Sequence, residues 1–323
     1  MVEFVTRPGG RRVAYAQYGD PAGAPVLFCH GWMASRLTRH PDDGLTAALG
    51  VRLIAVDRAG IGHSDPDRGK TLLSAAADLV AVADALTLER FALFGHSGGG
   101  PYALAAAHAF PDRVTKVAVA SGFAPFDRSD AYAGMTRRMR GYVRLLRAAP
   151  WLAGPLLRSA PRRFRADADK AFAQQFGDMC DADRAALESR PAREMLQGAA
   201  VEALRGGHAG VAAESQLLFV RPWGFSPTQV RPHVDLWYGG ADTLVPPEMG
   251  HHLDAELPDS RLTLLPDEGH MLFVEHWAEI LESLRPSSRR AAAASTRARP
   301  APAPRPRAAS PADRRPPSPG AGS

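Results

Sequence analysis

The stretch FALFGHSGGGPYALAAAHAF, residues 91–110, passes from an apolar run through His96, Ser97 and three glycines into a run rich in alanine. Phe91 to Phe94 read as a short buried strand, because a continuous apolar run of that length bounded by glycine fits a parallel sheet covered on both faces. Pro101 to Ala109 read as a helix with proline in its first turn, where a missing N–H costs nothing. Ser97 is therefore expected on a strand-to-helix turn.

Within that turn Gly95, Ser97 and Gly99 spell G-x-S-x-G, a pattern that holds a serine in a strained backbone conformation with Oγ exposed above the sheet. Side chains two positions to either side would collide with the neighbouring strand and helix, so the glycines have a steric reason. A phosphate-binding loop does not fit, since G-x-x-x-x-G-K-[ST] needs a lysine and none follows. A serine hydroxyl becomes a useful nucleophile only when a base takes its proton. Downstream, VDLWYGGADTLVP carries an apolar strand into a loop with Asp242, and RLTLLPDEGHMLF carries another into a loop with His270. The chain order is serine, aspartate, histidine.

Together with CHGW (29–32) after the strand PVLF, and DRAGIGHSD (57–65) after VRLIAV, these motifs resemble the α/β-hydrolase fold superfamily over residues 2–285. The resemblance implies an α/β class: a mainly parallel eight-stranded sheet flanked by helices, with an inserted helical cap. It implies Ser97 as nucleophile, His270 as general base and then general acid, and Asp242 as the residue that holds the imidazole in the right tautomer. It also implies an oxyanion hole built from two backbone N–H groups. These are Gly98, which follows the nucleophile, and Trp32, which follows the His-Gly pair. His30, His63 and His96 are expected to brace loops, and Asp57 and Arg58 to tie the loop after their strand. Some relatives carry the orienting acid after the preceding strand. Here that strand ends VAVASGFAPFD, and its first acid, Asp127, lies too far into the next segment. His251 and His252 are adjacent and cannot share a face, and no cysteine or carboxylate stands at ligand spacing, so neither metal nor cofactor is expected.

The rest of the chain can be followed around these motifs. EFVTRPGGRRVAYAQYG reads as a hairpin about Pro8-Gly9-Gly10. Six further strands alternate with helical stretches near 71–88, 98–109 and 271–285, which predicts ligands beyond the carboxyl ends of the strands. Residues 1–122 and 231–285 are assigned to the core, and 123–230 to a helical cap, with Met135, Met139, Tyr142, Val143 and Leu146 at near-helical spacing. Its apolar positions, Trp151, Leu156 and Leu157 among them, are expected to pack rather than bind substrate. Residues 286–323 form an Ala/Pro/Arg-rich tail with almost no large apolar residue, expected to be disordered.

Charge divides along the same lines. The chain carries +5, but the tail holds eight Arg against one Asp, which leaves −2 for residues 1–285. The cap has 16 Arg and Lys against 11 Asp and Glu, so the core is acidic. Complementary packing faces account for this, with attraction of acidic substrates as the alternative. The tail has no aromatic residue to stack on bases, which argues against nucleic acid as a partner. No run reaches transmembrane length, and the N-terminus carries no apolar signal segment. The two cysteines make no disulfide framework, which suits a reducing, cytoplasmic setting. The expected activity is a cofactor-independent serine hydrolase acting on a small to medium, largely apolar ester. Carbon–carbon hydrolysis, thioester cleavage and acyl transfer on the same residues are alternatives, as is a noncatalytic ligand-binding protein of this fold.

Overall fold

The computed structural model describes residues 1–128, 131–177 and 179–285; the tail expected at 286–323 lies outside them. Eight strands form one sheet: β1 (Glu3–Thr6), β2 (Arg12–Gly19), β3 (Ala24–Cys29), β4 (Val51–Val56), β5 (Phe91–His96), β6 (Val114–Ala120), β7 (Val234–Gly239) and β8 (Ser260–Leu265). Their order is β1-β2-β4-β3-β5-β6-β7-β8. β2 runs antiparallel to both β1 and β4, and every other pairing is parallel.

Registry decides where the loops emerge. Cys29 pairs with Gly95, His96 with Ala120, and Gly239 with Leu265. The carboxyl ends of β3, β5, β6, β7 and β8 therefore lie along one edge, and every loop that follows them opens on the same side. β5 sits in the middle of the sheet and is buried at all six positions, which explains its unbroken apolar composition.

Helices cover both faces. Thr71 caps the helix Leu72–Ala85 reciprocally with Ser74, each side chain accepting from the other's backbone N–H. In the helix Gly100–Ala109 the small residues Ala103, Ala105, Ala106 and Ala107 are fully buried, so the helix lies close on the sheet. Below, Phe28, Phe94 and Trp277 pack edge-on or tilted with centroids 5.1 to 6.0 Å apart. Trp277 is fully buried and its Nε1–H donates to Thr46 Oγ1 at 2.9 Å, so its apolar area contributes at about 25 cal/mol per Å² without leaving a polar atom orphaned.

Two predicted helices are divided. The stretch 98–109 begins as a 3₁₀ turn, Ser97–Gly99, before the α-helix starts. The stretch 271–285 breaks at His276 into Leu272–Glu275 and Trp277–Ser283, with the His276 ring engaged by Glu279 and Glu268. Between β6 and β7 the chain inserts helices Arg137–Ala148, Ala153–Leu157, Ala160–Ala166, Ala168–Phe176, Asp181–Ala186, Arg190–Ala203 and Ala209–Phe219. Met139, Val143 and Leu146 fall within the first of these, with Val143 and Leu146 buried.

Candidate active site

Ser97 begins the turn after β5 with φ of 52°, a left-handed conformation that costs a residue with a Cβ about 1–2 kcal/mol. The surroundings enforce it. A Cβ on Gly99 would lie 1.9 Å from the Cys29 carbonyl oxygen, so only glycine lets the turn pass this close to β3. Ser97 Oγ lies 3.0 Å from His270 Nε2, and His270 Nδ1 lies 2.8 Å from Asp242 Oδ2. A carboxylate only accepts, so Nδ1 carries the hydrogen and Nε2 is left to accept from the Ser97 hydroxyl. Asp242 is held in turn: its Oδ1 accepts from the backbone N–H of Leu244 at 2.8 Å and of Val245 at 2.9 Å. All three side chains are buried, so their interactions are little screened by solvent.

The two residues expected to supply oxyanion donors lie close together. A Cβ on Gly98 would sit 2.8 Å from the Trp32 nitrogen, so the backbone of Gly98 approaches the Trp32 amide closely beside Ser97. Among the described residues no acceptor is hydrogen-bonded to Trp32 N–H.

His96, His30 and His63 lie outside this chain of three. His96 Nε2 lies 3.3 Å from the His270 carbonyl oxygen, and burial, with His270 nearby, holds its pKa well below the ordinary value. His30 Nδ1 lies 3.0 Å from Gly31 O, and His63 Nε2 is 3.1 Å from Glu202. Asp57 accepts from Arg36 N at 2.7 Å, Arg36 Nη1 at 2.6 Å and His63 N at 3.1 Å, which ties the loop after β4 to the loop after β3.

One carboxylate was not foreseen. Asp183, from the inserted helix Asp181–Ala186, accepts the Met271 N–H at 2.7 Å through Oδ1 and the Cys180 thiol at 3.3 Å through Oδ2. It thus grips the backbone immediately after His270. No motif announces it, because a lone aspartate in an Ala-rich helix has no sequence signature. Burial opposes the imidazolium of His270, but Asp242 and then Asp183 outweigh it and hold the pKa above 6.5. If His270 is the base of a hydrolytic reaction it must be neutral, and the rate is then expected to rise with pH through an acid limb lying above that value. Asp183→Asn keeps the acceptor for Met271 but removes a negative charge, so the limb should move to lower pH. A pH–rate profile checks this, and an unmoved limb would remove Asp183 from the electrostatics of His270.

Above Ser97 lies a cavity of about 260 Å³. Trp32, Phe123, Met139, Tyr142, Phe172 and Leu196 supply much of its apolar wall, and Arg138 and Arg163 its cationic side chains. The expectation for the insertion's apolar residues is corrected here. Leu157 is packed in the core as expected, though it also lines this cavity, whereas Leu156 lines it while partly exposed and Trp151 is 70% exposed rather than packed. Helical periodicity marks an apolar face but not what that face meets.

A family model described as the alpha/beta hydrolase fold matches residues 24–276. The chain belongs to the α/β-hydrolase fold family. Among curated members, a non-heme chloroperoxidase of Streptomyces lividans is 38% identical over 123 residues, 38% of this chain and 45% of that protein. This chain spans less than half the length of the first such relatives. A pimeloyl-[acyl-carrier protein] methyl ester esterase of Neisseria meningitidis is 27% identical over 256 residues, covering 78% of this chain and 87% of that one. The solved esterase from Exiguobacterium antarcticum superposes with a TM-score of 0.66 at 23% identity, over 88% of this α/β-hydrolase chain and 98% of its own. That likeness is one of fold. Among the described residues no helix is long and apolar enough to cross a membrane.

Proposed function

We propose that this α/β hydrolase is a cofactor-independent serine hydrolase that cleaves small to medium, largely apolar carboxylic esters through an acyl-enzyme. The observation that carries the proposal is the hydrogen-bonded run from Ser97 Oγ through His270 to Asp242 beneath an apolar cavity.

Each residue has a defined task. His270 Nε2 takes the hydroxyl proton as Ser97 Oγ attacks the ester carbonyl. The negative oxygen of the tetrahedral intermediate is received by the N–H groups of Trp32 and Gly98. As the intermediate collapses, His270 returns the proton to the departing alcohol, leaving Ser97 acylated. Water then attacks, activated by the same imidazole, and releases the acid. Asp242 keeps Nδ1 protonated throughout. A serine rather than a carboxylate at position 97 favours acyl over alkyl chemistry. The helices of 123–230 serve as the cap that roofs the acyl pocket on the core of 1–122 and 231–285.

The setting proposed is the cytoplasm. Burial pushes the Cys29 thiol up to about 12, so it stays protonated and inert, and neither cysteine is paired.

Hydrolysis of 4-nitrophenyl esters from acetyl to long acyl chains tests the proposal. Turnover with an optimum at short to medium chains is expected from the cavity's size. No turnover across the series would sink the ester assignment and turn attention to the carbon–carbon, thioester, acyl-transfer or noncatalytic alternatives.

A further inference from the structure

Arg58 lies just after β4, is 5% exposed, and makes three charged hydrogen bonds. Its Nη2 donates to Gly31 O at 2.9 Å, Nη1 to His30 O at 2.5 Å, and Nε to Glu214 Oε1 at 2.5 Å. Glu214 belongs to the inserted helix Ala209–Phe219 and is fully buried. We propose that Arg58, locked by Glu214, is a positioning residue for the oxyanion donor Trp32 N–H, so that the insertion helps to assemble the oxyanion hole as well as roofing it.

The reason is geometric. The Gly31 carbonyl and the Trp32 N–H are opposite ends of one rigid peptide plane, and in a trans unit they point in opposite directions. No cis bond occurs among the described residues. Whatever holds the oxygen therefore aims the hydrogen, and here Arg58 Nη2 at 2.9 Å shares that oxygen with His30 Nδ1 of the adjacent residue at 3.0 Å. Released, this plane could rotate through ψ of Gly31, a residue with few steric limits, and turn a carbonyl oxygen toward the developing negative charge. The loop is under tension besides: Met33, next in sequence, has φ of 57°, a conformation kept only when neighbours over-determine it. A cation on the carbonyl also draws electron density from the amide, which makes its N–H a stronger donor.

The same helix holds the other end of Trp32. Ser215, the neighbour of Glu214, accepts from Trp32 Nε1 at 3.0 Å. Helix and loop are in close contact, since a Cβ on Gly210 would lie 1.8 Å from Gly60 O. Tyr102 completes the seat, donating to Glu214 Oε1 at 3.3 Å with its ring centroid 4.5 Å from the Arg58 guanidinium carbon. A buried ion pair is weak evidence for stability, and the alignment of this peptide gives it a function.

The inference rests on Ser97 being the nucleophile, and the experiment separates the two. Native protein, Ser97→Ala, Arg58→Lys and Glu214→Gln are compared for kcat and KM on the best ester. Each is also tested for affinity toward a trifluoromethyl ketone, which forms a hemiketal oxyanion on serine, and toward the matching methyl ketone, taken as a ground-state probe. Lysine keeps the charge but donates from a single nitrogen, so it does not reproduce bonds that Arg58 makes from three separate nitrogens in a planar fork. Arg58→Lys is expected to lower kcat and trifluoromethyl ketone affinity by about 100-fold, leaving KM and methyl ketone affinity within about threefold. Glu214→Gln, which keeps an acceptor for Nε, should show the same split at about tenfold. Near-UV circular dichroism reports folding. If Arg58→Lys does not fold, Glu214→Gln decides alone. A folded variant with native kcat and native trifluoromethyl ketone affinity, or one that loses both ketones equally, overturns the inference. Native protein without Ser97-dependent turnover overturns the serine-hydrolase proposal beneath it, and this inference with it.

Discussion

Ser97→Ala is expected to lower kcat by roughly 10⁴- to 10⁶-fold, since a nucleophile of this kind acts as a unit with its base and what remains is oxyanion-hole and binding catalysis. The fold should survive, because among the described residues the hydroxyl's polar contact is with His270 Nε2 at 3.0 Å. Ser97→Gly separates strain from chemistry. Position 97 sits at φ of 52°, where glycine pays nothing, so the glycine variant should be equally inactive yet more stable than the alanine variant by about 1 kcal/mol. Paired denaturation curves and ester rates check both halves. Residual activity near native in either variant would remove Ser97 from the mechanism. Equal stabilities would deny that the elbow stores strain.

Asp242→Asn should cost about 10⁴-fold in kcat, for a reason the hydrogen bonds make specific. The backbone N–H groups of Leu244 and Val245 both donate to Oδ1, so the amide oxygen of an asparagine must stay there. Its NH₂ then faces His270 Nδ1, at the position of Oδ2, 2.8 Å away. A donor on that side forces the hydrogen onto Nε2, and Nε2 can no longer accept the proton of Ser97. The substituted protein should also lose support for the imidazolium, so its acid limb moves to lower pH. Rates measured across pH, with circular dichroism as a folding control, test this. A kcat within about tenfold of native would show that Asp242 does not select the tautomer.

What could be read ahead of the structure was whatever lies within a few residues. Apolar runs marked β3 to β8, and each candidate residue followed a run closely: Trp32 after Phe28, Ser97 after Phe94, Asp242 after Tyr238 and His270 after Leu265. Parallel registry then brings the carboxyl ends of β3 to β8 to one edge whatever the loops contain, so the convergence of Ser97, His270 and Asp242 follows from the order of elements.

The rest depends on pairs that sequence leaves far apart. Asp183 meets Met271 across 88 residues, and Arg58 meets Glu214 across 156. Neither partner lies in a pattern that names the other, since a single acid on an inserted helix is locally indistinguishable from one facing solvent. The same blindness governs the insertion's apolar positions. Spacing identified a helical face, but whether Leu156 lines a cavity or Trp151 is exposed depends on how seven helices pack. The sequence by itself determined the family, the elbow and the order of its three candidate residues, because those are fixed by local backbone geometry and strand alternation. Only tertiary structure decided the shape of the pocket, the second carboxylate behind His270 and the Arg58–Glu214 clamp, because burial and side-chain pairing are properties of distances through space rather than along the chain.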